Sequence, residues 1–297
     1  MTRVIRVLAP NPGPFTLEGT NTWIVGQGPS VVIDPGPDED AGHILTVAEE
    51  AEPIHAILVT HHHPDHAPGS RRLSEATGAP VKSFRPQDGE EPLEDGQVVE
   101  AGAVRIRVVH TPGHTPDHLA FVVEPDGLLF TGDAVLGRGT SVISPPEGDM
   151  GAYVRSLQKM LDLEPKRIYP GHGPVIFTPK GRLEFYLRHR AQREEQILGA
   201  LAEGKQTPDE MVPGIYGTEV PPEMFPVAAR SVLAHLVKLE REGRAARTGR
   251  HQDDRFIPVE KRACERCGRP AAPGSRFCRR CGLAVLQEGP KPGTRTD

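Results

Sequence analysis

Along the first 175 residues, short apolar runs alternate with amphipathic stretches, and turns rich in glycine, proline or acidic residues separate them. Residues 22–25, 31–33, 54–59, 104–109, 119–123 and 128–131 are largely apolar, the pattern of strands covered on both faces. Residues 97–100 pair with 104–109, and 119–123 with 128–131 about the turn Glu124-Pro125-Asp126-Gly127. Residues 81–83 read as a further extended piece. Three stretches carry helical spacing instead. Residues 38–50 have an acidic first turn and apolar Ile44, Leu45, Val47 and Ala48; 70–77 follow; 149–163 place Val154, Leu157, Met160 and Leu161 on one face. This order fits two sheets with helices laid on the outside.

The pattern changes after Pro179. Residues 180–201 read as a long helix carrying Leu183, Leu187, Ile197 and Leu198 and ending at Gly204, which places a first domain at 1–204. Thr207-Pro208-Asp209-Glu210 is an N-cap with proline at the first helical position, and 227–241 form a strong helix with Val232, Leu233, Leu236, Val237 and Leu239. A basic stretch, 244–250, and a strand-like 256–259 follow, so 205–260 read as a winged helix or equally as a helical cap on an active-site rim. All four cysteines fall in Cys264-x-x-Cys267 and Cys278-x-x-Cys281, each pair followed by glycine. That spacing predicts a zinc ribbon over 261–284, with one structural Zn2+ on four thiolates supplying most of the folding free energy of so small a module. A redox dithiol is the alternative. Residues 285–297 are too polar for a packed structure and read as a disordered tail.

Composition is ordinary for a globular protein, 37% hydrophobic and 25% charged over 297 residues, with a net charge of −5. The charge is unevenly placed. From Lys238 onward there are 15 Lys and Arg against 8 Asp and Glu, a net of +7, which leaves −12 on the preceding residues. A basic end on an acidic body suits an anionic polymer held beside a catalytic site. The charged, alternating start has no signal-peptide core, and no apolar run approaches the about 18 residues of a membrane span, so the expected location is cytoplasmic.

Candidate chemistry concentrates just after the apolar runs. In Thr60-His61-His62-His63-Pro64-Asp65-His66, four potential ligands, His61, His63, Asp65 and His66, crowd into six residues. His114, Asp133 and His172 each follow a strand-like run within a glycine- or proline-bounded turn. Imidazoles beside carboxylates suit a borderline divalent metal such as zinc.

These seven positions resemble the metallo-β-lactamase superfamily, whose signature is His-x-His-x-Asp-His followed by single His, Asp and His ligands. The resemblance implies a four-layer αββα sandwich and two Zn2+, one on His61, His63 and His114, the other on Asp65, His66 and His172, with Asp133 bridging. It also implies metal-assisted hydrolysis, in which Asp65 belongs to the catalytic set and a water between the ions becomes a hydroxide nucleophile. Asp34, at a strand end, is expected behind the ligands rather than on a metal. His118 is the candidate proton donor to the leaving group, with a buried structural imidazole as the alternative. His43, His55 and His62 receive no role. The opening string from Asn11 to Trp23 resembles the lactamase-β-like protein 2 branch, whose characterised member is a single-strand endoribonuclease, and single-stranded RNA is therefore the first substrate expected. A glyoxalase II type hydrolase of a thioester, lactone or β-lactam is the second. A mononuclear iron dioxygenase and a catalytically silent nucleic-acid adaptor fit less well, because the ligand set is complete.

Overall fold

The computed structural model describes residues 2–248, 255–259, 266 and 267. It opens with β1 (Val4–Leu8), β2 (Asn21–Gly26) and β3 (Ser30–Ile33), then α1 (Ala41–Ala51), β4 (Ile54–Leu58), α2 (Gly69–Thr77), β5 (Val81–Ser83) and β6 (Glu90–Pro92). β7 (Val98–Ala101), β8 (Val104–His110), β9 (Leu119–Glu124) and β10 (Leu128–Gly132) lead to α3 (Met150–Asp162), β11 (Arg167–Pro170) and α4 (Pro179–Ala202). Beyond lie α5 (Pro208–Tyr216), a 3-10 turn (Pro222–Met224), α6 (Phe225–Arg241), β12 (Ala245–Arg247) and β13 (Phe256–Pro258).

The pleat explains the continuous apolar runs. Strands β1 to β6 form one sheet in sequence order, and the second runs β11-β10-β9-β8-β7. Successive side chains on a strand point to opposite faces. Accordingly Trp23, Val25, Val31, Ile33, Ala56 and Leu58 meet Ile106, Val108, Leu119, Phe121 and Phe130 in the layer between the sheets. Their neighbours Ile24, Val32, Ile57 and Val59 face outward onto Ile44 and Val47 of α1 and Leu73 of α2. Both faces of the central strands β2 and β3 are dry, so neither shows polar alternation. α3 turns Met150, Tyr153, Leu157 and Met160 inward.

Two expectations shift in detail. The first helix starts at Ala41 rather than residue 38, because the Asp40 side chain accepts from the His43 N–H at 2.7 Å and caps it there. Its buried stripe is His43, Ile44, Val47 and Ala51, and Leu45, expected inside, is 60% exposed. β6, Glu-Glu-Pro at the edge of its sheet, carries no apolar signal and was not foreseen.

The chain divides into two compact units between Arg193 and Glu194, inside α4. The second has its own core, in which Ile197 and Leu201 meet Met211, Val212 and Ile215 of α5, Val232, Leu236 and Leu239 of α6, and Phe256. α5 opens with the foreseen cap: Thr207 Oγ1 accepts from the Glu210 N–H, and the Glu210 carboxylate returns to the Thr207 N–H at 3.1 Å. Antiparallel β12 and β13 complete the helix, helix, hairpin order expected of a winged helix. Cys267 is exposed; Cys264, Cys278 and Cys281, and with them the expected zinc ribbon and tail, lie outside the described residues. Among the described residues no helix is long and apolar enough to cross a membrane.

Candidate metal centre

Each foreseen ligand follows the C-terminal end of a strand: His61 to His66 follow β4, His114 follows β8, Asp133 follows β10 and His172 follows β11. Their donor atoms converge into two sets. His61, His63, His114 and Asp133 form one, and Asp65, His66 and His172 the other, each with donor atoms within 4.8 Å of one another. Asp133 stands between them. Its Oδ2 lies 3.7 Å from His114 Nε2, and its Oδ1 lies 3.4 and 3.3 Å from Nε2 of His66 and His172. On the other side of the second set, Asp65 Oδ2 is 3.1 Å from His172 Nε2 and 3.5 Å from His66 Nε2.

Hydrogen bonds behind the ligands fix which nitrogen faces inward. His66 Nδ1 donates to Asp34 Oδ2 at 2.8 Å, His114 Nδ1 to the Val142 carbonyl at 3.0 Å and His172 Nδ1 to the Gly19 carbonyl at 3.2 Å. Asp34 also accepts from the Thr60 N–H at 2.8 Å and from Thr60 Oγ1 at 2.7 Å, and Thr60 Oγ1 in turn accepts from His61 Nδ1 at 3.0 Å. One buried carboxylate therefore orients His66 directly and His61 through a hydroxyl. It is able to fold back onto Thr60 from a left-handed backbone, φ +52°, a conformation that Asp and Asn tolerate better than most residues.

The donor set fits divalent cations. With their Nδ1 protons turned outward, His61, His66, His114 and His172 present Nε2 lone pairs to the interior, whereas His63 presents Nδ1, 3.0 Å from His61 Nε2 and 3.1 Å from His114 Nε2. His66 and His172 likewise bring Nε2 to 3.2 Å of each other. Lone pairs so converged repel unless a cation stands among them. Asp133 Oδ1 is buried and makes no hydrogen bond; its nearest polar neighbours are Nε2 of His66 and His172, at 3.4 and 3.3 Å. Burial works to raise Asp133, yet His66 and His172 beside it hold it below the usual carboxylate range. Burial and then the neighbouring imidazoles press His61 well below its ordinary value, while His66, between Asp133 and Asp34, is driven well above it against burial. The carboxylates are anionic, and the cluster draws positive charge.

His118, the candidate proton donor, lies beside Asp133. It is fully buried; its Nδ1 lies 2.8 Å from Thr111 Oγ1, and its Nε2 accepts from the Asp133 N–H at 3.2 Å. Burial, then His114, pushes it down to about 3. Its single proton points at Thr111 and its free lone pair is taken, so it has none to give a leaving group. It holds Asp133 by the backbone instead.

Several supports were not foreseen. Asn21 Nδ2 donates to the Pro170 and Gly173 carbonyls, both at 2.9 Å, and Trp23 Nε1 to Pro170 at 3.0 Å, which ties the His172 loop to β2. This gives the Asn21-Thr22-Trp23 string a structural purpose. A Cβ at Gly171 would stand 2.7 Å from His66 Cε1 and 2.8 Å from Asp133 Oδ1, so only glycine lets the loop pass the second set. Arg182 donates to the Leu136 and Gly139 carbonyls and Arg190 to Ser141, steadying the chain after Asp133. Of the histidines left without a role, His55 is exposed, His43 is buried with Nε2 3.0 Å from both Thr22 Oγ1 and the Pro35 carbonyl, and His62 sits between two carboxylates.

Residues 15–172 match the family described as the metallo-beta-lactamase superfamily, and residues 207–254 the beta-lactamase associated winged helix domain. A beta-lactamase-like protein 2 homolog of Drosophila melanogaster is 40% identical over 281 residues, covering 85% of this chain and 92% of that protein. An atrochrysone carboxyl ACP thioesterase of Aspergillus chevalieri is 39% identical over 231 residues, covering 73% of this chain and 74% of that protein. Among solved structures, a beta-lactamase domain protein from Burkholderia ambifaria is 25% identical with a TM-score of 0.73, covering 86% of this chain and 91% of that one.

Proposed function

This chain belongs to the metallo-beta-lactamase superfamily and is a hydrolase with a histidine and aspartate metal site; from that premise we propose that it takes two zinc ions and hydrolyses a small acyl substrate, a thioester first. Two divalent cations held there supply Lewis acidity and a water whose pKa is low enough to act near neutral pH. The protein's own residues do the rest. Asp34, Thr60 and the carbonyls of Gly19 and Val142 keep the imidazoles in the ligating tautomer, and His118 holds Asp133 between the two sets. With the proton of His118 turned to Thr111, the reading favours a leaving group that departs as a stable anion. A thiolate does so; an amine does not.

One observation carries the substrate class. A cleft of about 370 Å³ is lined by Pro10, Asn11, Pro37, Glu39, Asp40, Pro64 and Asp65, the one member of the two donor sets on its wall. Apolar rings with carboxylates suit an uncharged acyl chain and repel a phosphate backbone. Similarity to proteins named as acyl carrier protein thioesterases points the same way.

Single-stranded RNA, the first expectation, stands second. It is supported by 40% identity to a beta-lactamase-like protein 2 homolog and by the +7 charge from Lys238 onward. Against it, Lys238 pairs with Glu194 and Glu242, Arg244 with Glu194, and Arg247 with Glu240, which leaves less of that charge for a backbone. The deciding assay compares an acyl thioester, a lactone, a β-lactam and a labelled single-stranded RNA on the zinc-loaded full chain. Thioester turnover with RNA intact is expected; RNA cut efficiently and the thioester untouched would reverse the order.

A further inference from the structure

His62 lies between two ligands and joins neither donor set. Its Nδ1 is 2.8 Å from Asp117 Oδ2, its Nε2 is 3.1 Å from Glu90 Oε2, and its backbone N–H reaches the same Asp117 oxygen at 3.3 Å. Both ring nitrogens thus lie within hydrogen-bond distance of a carboxylate, and the side chain bridges Glu90 and Asp117. The His62, Glu90 and Asp117 side chains are only 15%, 10% and 12% exposed, so solvent and salt screen the triad little. Glu90 is itself anchored by Ser83 Oγ at 2.6 Å and the Gln87 N–H at 3.0 Å.

The topology shows what this clasp joins. His62 follows β4 of the first sheet with His61 and His63 on either side, and Glu90 opens β6 at that sheet's edge. Asp117 lies in the loop after β8 of the second sheet, three residues beyond His114. The clasp therefore crosses between the sheets and ties the two loops that deliver His61, His63 and His114. The loop bearing His172 is tied across by a different route, Asn21 and Trp23 on Pro170, in which His62 has no part.

We propose that His62 is a positioning residue that sets the spacing of His61 and His63 against His114, and so governs the affinity of one ion selectively. The inference rests on the two-metal reading above and adds an asymmetry to it. Loss of the clasp leaves every ligand in place and the Leu119 N–H on the Thr60 carbonyl at 2.7 Å as a remaining tie, but it removes the side-chain tie beside the ligands themselves, and groups that orient ligands from behind carry about ten- to a hundredfold in metal affinity.

The test titrates metal-stripped, full-length protein with Zn2+ against a chromophoric chelator and reads the occupancy of each set from anomalous scattering at the zinc edge. His62→Ala is expected to weaken the ion on His61, His63, His114 and Asp133 by about ten- to a hundredfold and to leave the ion on Asp65, His66 and His172 in place. Asp117→Asn keeps the size and one acceptor but removes a charge; it should show a smaller loss with the same selectivity, and it serves if His62→Ala does not fold. Equal weakening of both ions, or no change in either, would overturn the role given to His62. Wild-type protein that binds zinc at neither set would instead overturn the parent reading, so the two failures are separable.

Discussion

Replacing Asp34 by Asn tests the centre with the least disturbance to the fold. The side chains are the same size, and Asn also accepts the left-handed φ of +52° found at this position. What changes is the proton pattern. In the wild type, Oδ1 accepts from the Thr60 N–H, and Oδ2 accepts from Thr60 Oγ1 and His66 Nδ1. With the amide oxygen kept towards the Thr60 N–H, the new NH2 faces His66, whose Nδ1 must then accept, which moves the ring proton onto Nε2 and blocks ligation. Turning the amide over restores His66 but sets NH2 against the Thr60 N–H. Either arrangement forfeits one buried, charge-assisted hydrogen bond, about 1.5–3 kcal/mol. At about 1.4 kcal/mol per decade, the ion on Asp65, His66 and His172 should bind about ten- to a hundredfold more weakly. Zinc titration of the stripped protein reads the affinity, a thermal melt without metal checks the fold, and nitrogen-15 NMR of the His66 ring reads the tautomer. Wild-type zinc affinity with His66 still protonated on Nδ1 would refute the reasoning.

Other outcomes follow from the same geometry. His118→Ala removes the acceptor for the Asp133 N–H and should lower occupancy of both ions, whereas an enzyme that keeps its metals and loses only an acid-dependent step would restore His118 as a proton donor. Gly171→Ala should drive a methyl against His66 and Asp133 and abolish turnover while the second unit's helical signal persists; unchanged activity would show that the loop relaxes freely. Burial lowers His43 from 6.5, so below pH 6.5 the unfolded chain takes up a proton that the folded chain refuses, and stability is lost as the pH is lowered, by at most about 1.4 kcal/mol per unit. His43→Gln should flatten that part of the wild-type curve of melting temperature against pH, and identical slopes would remove His43 as its source.

Much of this molecule is legible in the order of its residues. Apolar runs of strand length and the turns that end them are local properties, so most strands, the cap at Thr207 and the places where candidate ligands follow strands could be read without coordinates, whereas the sandwich of two sheets came from the resemblance to a known family. Four of the seven candidate ligands, His61, His63, Asp65 and His66, stood out by their close spacing, whereas His114, Asp133 and His172 were joined to them by the resemblance to a known family. Which face each residue takes was less so. Leu45 has the spacing of a core residue and is exposed, because the start that Asp40 sets and the sheet beneath the helix select His43, Ile44 and Val47 instead. What the tertiary structure alone decided is the protonation and spacing of the site. Asp34 and His66 are 32 residues apart, His62 and Asp117 are 55, and Asn21 and Pro170 are 149. A hydrogen bond depends on distances of a few tenths of an ångström between groups brought together by sheet packing, and no periodicity along the chain encodes it. For the same reason His118 read equally as an acid or a buried imidazole in sequence, and its contact with the Asp133 amide is one that only the fold makes.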